Sequence, residues 1–67
     1  MSPSELGDTI RRLRERAGLT QEELASRAAI SQPYLSQLES GRVKHPAVQV
    51  VQRLAKVLGV KIEDVLE

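Results

Sequence analysis

Cysteine, tryptophan and phenylalanine are absent from these 67 residues, and Tyr34 is the sole aromatic side chain of the Phe, Trp and Tyr set. Without cysteine there is no disulfide, no thiolate metal site and no thiol nucleophile. Without Phe and Trp the core must be built from Leu, Ile, Val and Ala, a set that suits short helices packed closely. The single histidine, His45, has no partner ligands at metal spacing. The four glycines are dispersed, so no glycine-rich phosphate loop is present. Paired carboxylates in an apolar setting are also lacking. These absences argue against an enzyme, a metal and a cofactor. No apolar run approaches the roughly 20 residues that span a bilayer. No secretory segment follows Met1, so no membrane association and a cytoplasmic location are expected.

Charge of either sign is scarcely in excess: ten Lys and Arg stand against nine Asp and Glu, a formal net charge of +1. The distribution says more than the sum. Arg11, Arg12, Arg14 and Arg16 face only Glu15 within residues 10–17, and Arg42, Lys44 and His45 cluster in residues 41–46. Glu63, Asp64 and Glu67 close the chain without a base. One basic side and an acidic tail are expected.

The succession of caps, apolar stripes and glycine stops predicts one all-α domain over residues 1–67, a compact bundle of five short helices near 3–17, 21–28, 32–39, 46–58 and 61–66. Ser2, Pro3 and Glu5 read as a start signal. Leu6, Ile10, Leu13 and Ala17 then make a buried stripe, and Gly18 reads as a stop. Gly7 inside that helix costs up to about 1 kcal/mol relative to Ala and permits a close helix contact. Pro46 opens the fourth helix, with Val48, Val51, Leu54, Ala55 and Leu58 inward and Gly59 as its stop. Val50, Val57, Val65 and Leu66 exceed what so small a core holds; Val57, Val65 and Leu66 are the candidates for a dimer face.

Residues 20–40, TQEELASRAAISQPYLSQLES, organise the rest. Thr20 with Glu23 forms a capping box; Ser31 caps a second helix, with Pro33 in its first turn. Leu35, Leu38 and Glu39 point inward. Pro33, Ser36, Gln37 and Ser40 are left outward, with Gln32 at the exposed N-terminal tip. This face is small, polar and uncharged. Gln matches two edge groups of adenine in the major groove, Ser donates or accepts at several bases, and Pro33 offers apolar contact to a thymine methyl. Base contact is therefore assigned to Gln32, Pro33, Ser36 and Gln37, with Ser40 and Tyr34 less central. For Tyr34, packing beside the core and a DNA contact stand equal. An ordinary solvated exterior on two packed helices is the alternative that spacing alone leaves open.

Gln21, Leu24, Ala25, Ile30, Ser31, Leu35, Leu38, Glu39 and Gly41 resemble the helix-turn-helix of the phage-repressor and Cro family, also called the xenobiotic-response-element family. The resemblance covers about residues 6–66, with the motif at 21–39, and implies a lambda-repressor-like bundle. It implies a partly buried ion pair between Arg14 and Glu39 that orients the recognition helix. It also implies that Gln21 touches a phosphate and supports Gln32. Residues 42–46 match a loop that runs along the DNA backbone, which makes Arg42 and Lys44 phosphate contacts; Arg11, from the basic run of residues 10–17, is a weaker candidate for the same role, since a charge run is usually a solvated face. The turn position that often holds Gly in this family is Ala29 here. The expected function is sequence-specific binding of double-stranded DNA in transcriptional regulation, repressor-like. The expected partners are a (pseudo)palindromic operator and a second copy in a weak homodimer. The alternative is an antitoxin-like or adaptor domain acting mainly through protein contacts.

Overall fold

In a computed structural model, which describes residues 5–66, the chain forms α1 (Glu5–Arg16), α2 (Gln21–Arg27), α3 (Gln32–Glu39), α4 (Val48–Leu58) and α5 (Ile62–Leu66). No strand occurs among the described residues. Each expected helix is present, and the ends expected among the described residues are displaced by at most two residues. The start signal at Ser2 and Pro3 lies outside the described residues. None of these helices is long enough to be stable alone in water, so packing holds them. α1 lies against α3, α4 and α5; α2 packs on α3 and α4; α4 and α5 pair.

Ten buried apolar residues form the core: Ile10, Leu24, Ala25, Ala28, Leu35, Leu38, Val51, Leu54, Ala55 and Val65. They come from all five helices, so no helix can detach without exposing part of this cluster. Leu6, Leu13, Leu19, Ile30 and Tyr34 pack around it, half-buried. The expected close approach at Gly7 is real. A Cβ there would stand 2.8 Å from the Glu39 carbonyl oxygen and would collide with that of Leu38. The missing side chain therefore lets α1 run directly over the C-terminal carbonyls of α3.

Four expectations are corrected. Ala17 is exposed, because α1 ends at Arg16 and the chain is already turning. α4 begins at Val48, with Ala47 at its N-cap in extended conformation and no side-chain cap; Pro46 belongs to the preceding loop. Val48 is 64% exposed, whereas Val65 is fully buried. Periodicity identified the inward face of α4 but not where along it the neighbouring helices end. In α5 it is Val65, three residues after Ile62, that points into the bundle. Val65 is therefore unavailable to a dimer face.

The stops share one hydrogen-bond pattern, in which a left-handed residue donates three back and its successor five back. At α1 the pair is Gly18 to Glu15 (3.0 Å) and Leu19 to Arg14 (3.1 Å). At α2 it is Ala29 to Ser26 (3.2 Å) and Ile30 to Ala25 (3.0 Å). The same pattern recurs at Gly41 and Gly59. Ala29, with φ of 58°, is the sole non-glycine residue of positive φ among the described residues.

Candidate nucleic-acid interface

Two caps place α2 and α3. The Thr20 N–H donates to Glu23 Oε1 (2.8 Å) while the Glu23 N–H donates to the Thr20 hydroxyl (3.1 Å). This closes the capping box, and the Thr20 N–H bond draws the Glu23 carboxyl below its usual pKa. Ser31 accepts from the Tyr34 N–H (3.2 Å), and Pro33 stands in the first turn of α3. The left-handed Ala29 turns the chain between the two helices.

On α3 the inward positions are Leu35, Leu38 and Glu39, all buried. Gln32, Pro33, Gln37 and Ser40 are exposed, and Ser36 and Tyr34 half-buried. The six predicted base-contact positions thus share one short helix and its C-cap. Ser40 lies at the far end from Gln32, and its hydroxyl donates to the Gln37 carbonyl (3.1 Å).

Behind this face runs a polar connection. Arg14 grips Glu39 with two prongs, Nε to Oε2 at 2.7 Å and Nη2 to Oε1 at 2.9 Å, and its Nη1 donates to the Leu19 carbonyl (2.9 Å). The Glu39 side chain is 4% exposed and that of Arg14 12%. Hydrogen bonding to Glu39 raises the Arg14 pKa despite the opposing effect of burial. Gln21 Nε2 then donates to Glu39 Oε1 (3.0 Å), and Gln32 Nε2 donates to Gln21 Oε1 (2.8 Å). The structure thus joins Arg14, Glu39, Gln21 and Gln32 in one chain of hydrogen bonds. The resemblance named the pairs at its two ends. The middle link, Glu39 to Gln21, was missed: the residues are 18 apart in sequence and no periodicity relates them.

Arg42 and Lys44 are exposed in the loop that follows α3, without an ion-pair partner among the described residues. Arg11 is placed otherwise. Its Nη2 lies 3.3 Å from Asp8 Oδ1 on the same helix, and no hydrogen bond among the described residues joins it to α2 or α3. A cleft of about 270 Å³ between α1 and α5, lined by Thr9, Arg12, Leu13, Arg16 and Asp64, includes none of the predicted contact residues. Among the described residues no group of three or more His, Cys, Asp and Glu side chains is placed to hold a metal ion. No helix among them is long and apolar enough to cross a membrane.

The chain is 42% identical over 62 residues to the HTH-type transcriptional regulator DdrOP3 of Deinococcus deserti, covering 92% of this chain and 47% of that protein. It is 49% identical over 55 residues to the uncharacterized HTH-type transcriptional regulator y4dJ of Sinorhizobium fredii, covering 82% and 70%. The chain thus spans about half of DdrOP3. Among solved structures, the N-terminal DNA-binding domain of SinR from Bacillus subtilis superposes with a TM-score of 0.91 at 28% identity, covering 96% of this chain and 93% of that one. SinR in complex with DNA gives 0.90 at 29% identity, covering 92% and 98%. The family model described as helix-turn-helix domain matches residues 5–67. With that match and these relatives, the chain belongs to the helix-turn-helix domain family of HTH-type transcriptional regulators.

Proposed function

We propose that residues 1–67 form a single helix-turn-helix domain that binds double-stranded DNA sequence-specifically and regulates transcription as a repressor. The observation that carries this reading is the outward face of α3, uncharged and hydrogen-bonding, followed directly by a loop bearing two exposed cations, Arg42 and Lys44. The first arrangement reads base edges; the second neutralises phosphates without reading sequence. SinR, of the same fold, has been seen in complex with DNA.

In this reading Gln32, Pro33, Ser36 and Gln37 meet base edges, with Tyr34 and Ser40 at the margins. Gln21, Arg42 and Lys44 meet phosphates. Gln21 retains one amide hydrogen not engaged by Glu39, which serves that purpose. Arg11 joins them only by leaving Asp8, an exposed pair worth at most about 1 kcal/mol. The finer kinship to the phage-repressor and Cro branch rests on the pattern of residues 21–41 alone. Two copies pair weakly on a pseudo-palindromic operator through the α4–α5 end, where Leu66 is exposed and Val57 half-buried. Their recognition helices then lie about 34–36 Å apart.

The test is a panel of single-base variants of an operator selected from random duplexes, measured at several salt concentrations. Gln37→Ala relaxes preference at one base pair per half-site by about 1–3 kcal/mol. Arg42→Ala weakens all duplexes alike and lowers the salt slope by about one unit. An unchanged specificity profile in folded Gln37→Ala refutes its role as a base reader. Footprinting shows two symmetric half-sites; protection of one isolated half-site at saturation refutes the dimer. The antitoxin-like or adaptor reading is favoured by the near-balanced net charge of +1. It predicts little DNA affinity even at low salt.

A further inference from the structure

We propose that Glu39, buried behind the outward face of α3, sets which base Gln32 reads. The inference rests on the DNA-binding function proposed above and adds a positioning residue to it. A carboxylate only accepts hydrogen bonds. Glu39 therefore admits one orientation of the Gln21 amide, with its NH2 inward at 3.0 Å; the reverse would set two acceptors face to face. Gln21 Oε1 is thereby turned toward the start of α3, where it accepts from Gln32 Nε2 at 2.8 Å. The Gln32 amide is fixed in its turn, with NH2 toward Gln21, Oε1 away from it, and one N–H to spare.

The exposed edge of Gln32 thus carries one donor and one acceptor in a set order. Adenine offers its N7 acceptor beside its N6 donor in the major groove, so that order decides whether the two edges match. A glutamine without the connection samples both orders and discriminates less. Arg14 holds the origin of the sequence still, through its two bonds to Glu39 and a third to the Leu19 carbonyl. A buried charge pair on one side of α3 therefore dictates hydrogen-bond polarity on the other, across two neutral amides.

The experiment compares specificity profiles on the selected operator. Gln32→Ala first identifies the base pair that Gln32 reads. Glu39→Gln then replaces an obligate acceptor by an amide that also donates, freeing Gln21 to flip. Gln21→Leu breaks the connection at a half-buried position outside the core and leaves Arg14 and Glu39 paired, so full discrimination in that variant overturns the inference even where Glu39→Gln does not fold. Discrimination at the Gln32 pair falls from the roughly 5- to 150-fold of a good bidentate contact to less than about threefold. Preference at the pair read by Gln37 is unchanged. Loss of a phosphate contact in Gln21→Leu weakens every duplex equally and leaves relative preferences intact.

Full discrimination at the Gln32 pair in a folded variant overturns the inference. So does equal loss at every pair, or a Gln32→Ala profile identical to that of the unaltered protein. An unaltered protein with no sequence preference refutes the DNA-binding reading itself, a different outcome from these three.

Discussion

Replacing Ala29 by glycine should make the domain more stable. Ala29 holds φ at 58°, and left-handed backbone costs a residue with a Cβ about 1–2 kcal/mol. Glycine removes that cost but adds about 0.4–1 kcal/mol of unfolded-state entropy. The Ala29 side chain is exposed, so little packing is lost, and both bonds of the stop are made by backbone groups. The net gain is about 0.5–1 kcal/mol. For a domain of this size it raises the thermal midpoint by about 2–8 °C. Far-UV circular dichroism during heating measures the midpoint, and urea titration checks that the m value is unchanged. Gly18→Ala is the control of opposite sign: φ there is 73°, and a Cβ would meet nothing within 4 Å, so only the backbone cost applies. A midpoint for Ala29→Gly equal to or below that of the unaltered protein refutes the reasoning, because it means the left-handed turn carries no strain.

Gly7→Ala lowers the midpoint although alanine favours helix by about 1 kcal/mol. The collision with α3 carbonyls exceeds that gain at about 1–3 kcal/mol, and a raised midpoint counts against the described approach of α1 to α3. Arg14→Ala leaves a buried carboxylate unpaired and costs about 3–5 kcal/mol in urea titration. Arg14→Met with Glu39→Met recovers most of that, and failure to recover shows that the ion pair is itself the main source of stability. Glu23 has a folded pKa below its unfolded one, so its contribution is complete above the unfolded value of about 4.3 and is lost as pH falls through the folded value. The stability gap between the unaltered protein and Glu23→Gln therefore narrows below about pH 4.3; a gap independent of pH refutes the capping-box assignment.

Local signals carried the helices because they are local. Thr20 and Glu23, Ser31 and Pro33, and the glycines after α1, α3 and α4 act within a few residues, and each appears where its chemistry places it. The resemblance carried the Arg14–Glu39 and Gln21–Gln32 pairs, which spacing alone does not reveal. Burial at the chain's apolar margins was less legible. Val48 and Val65 are both apolar helix residues, yet Val48, at the first turn of α4, is exposed and Val65 is fully buried, because coverage depends on where other helices pack and not on the local pattern. The bond from Gln21 to Glu39 was illegible for another reason: a neutral amide carries no charge pattern to pair with. Arg11 shows the converse, a charge whose nearest partner, Asp8, was on its own helix.

The hydrogen bond between Gln21 and Gln32 has a consequence for re-engineering the domain. The outward positions of α3 are not equivalent as sites for variation. Pro33, Ser36, Gln37 and Ser40 make no side-chain hydrogen bond to another helix among the described residues, so a library can vary them without breaking a side-chain bond between helices. Position 32 is different, because its partner belongs to α2 and that partner is held by the core. New chemistry at 32 must be chosen jointly with 21, as a two-residue alphabet constrained to accept from one side and answer the carboxylate on the other. Randomising 32 alone samples mostly combinations in which the exposed Gln21 carbonyl loses its donor from α3 to water, so the two positions are best varied together.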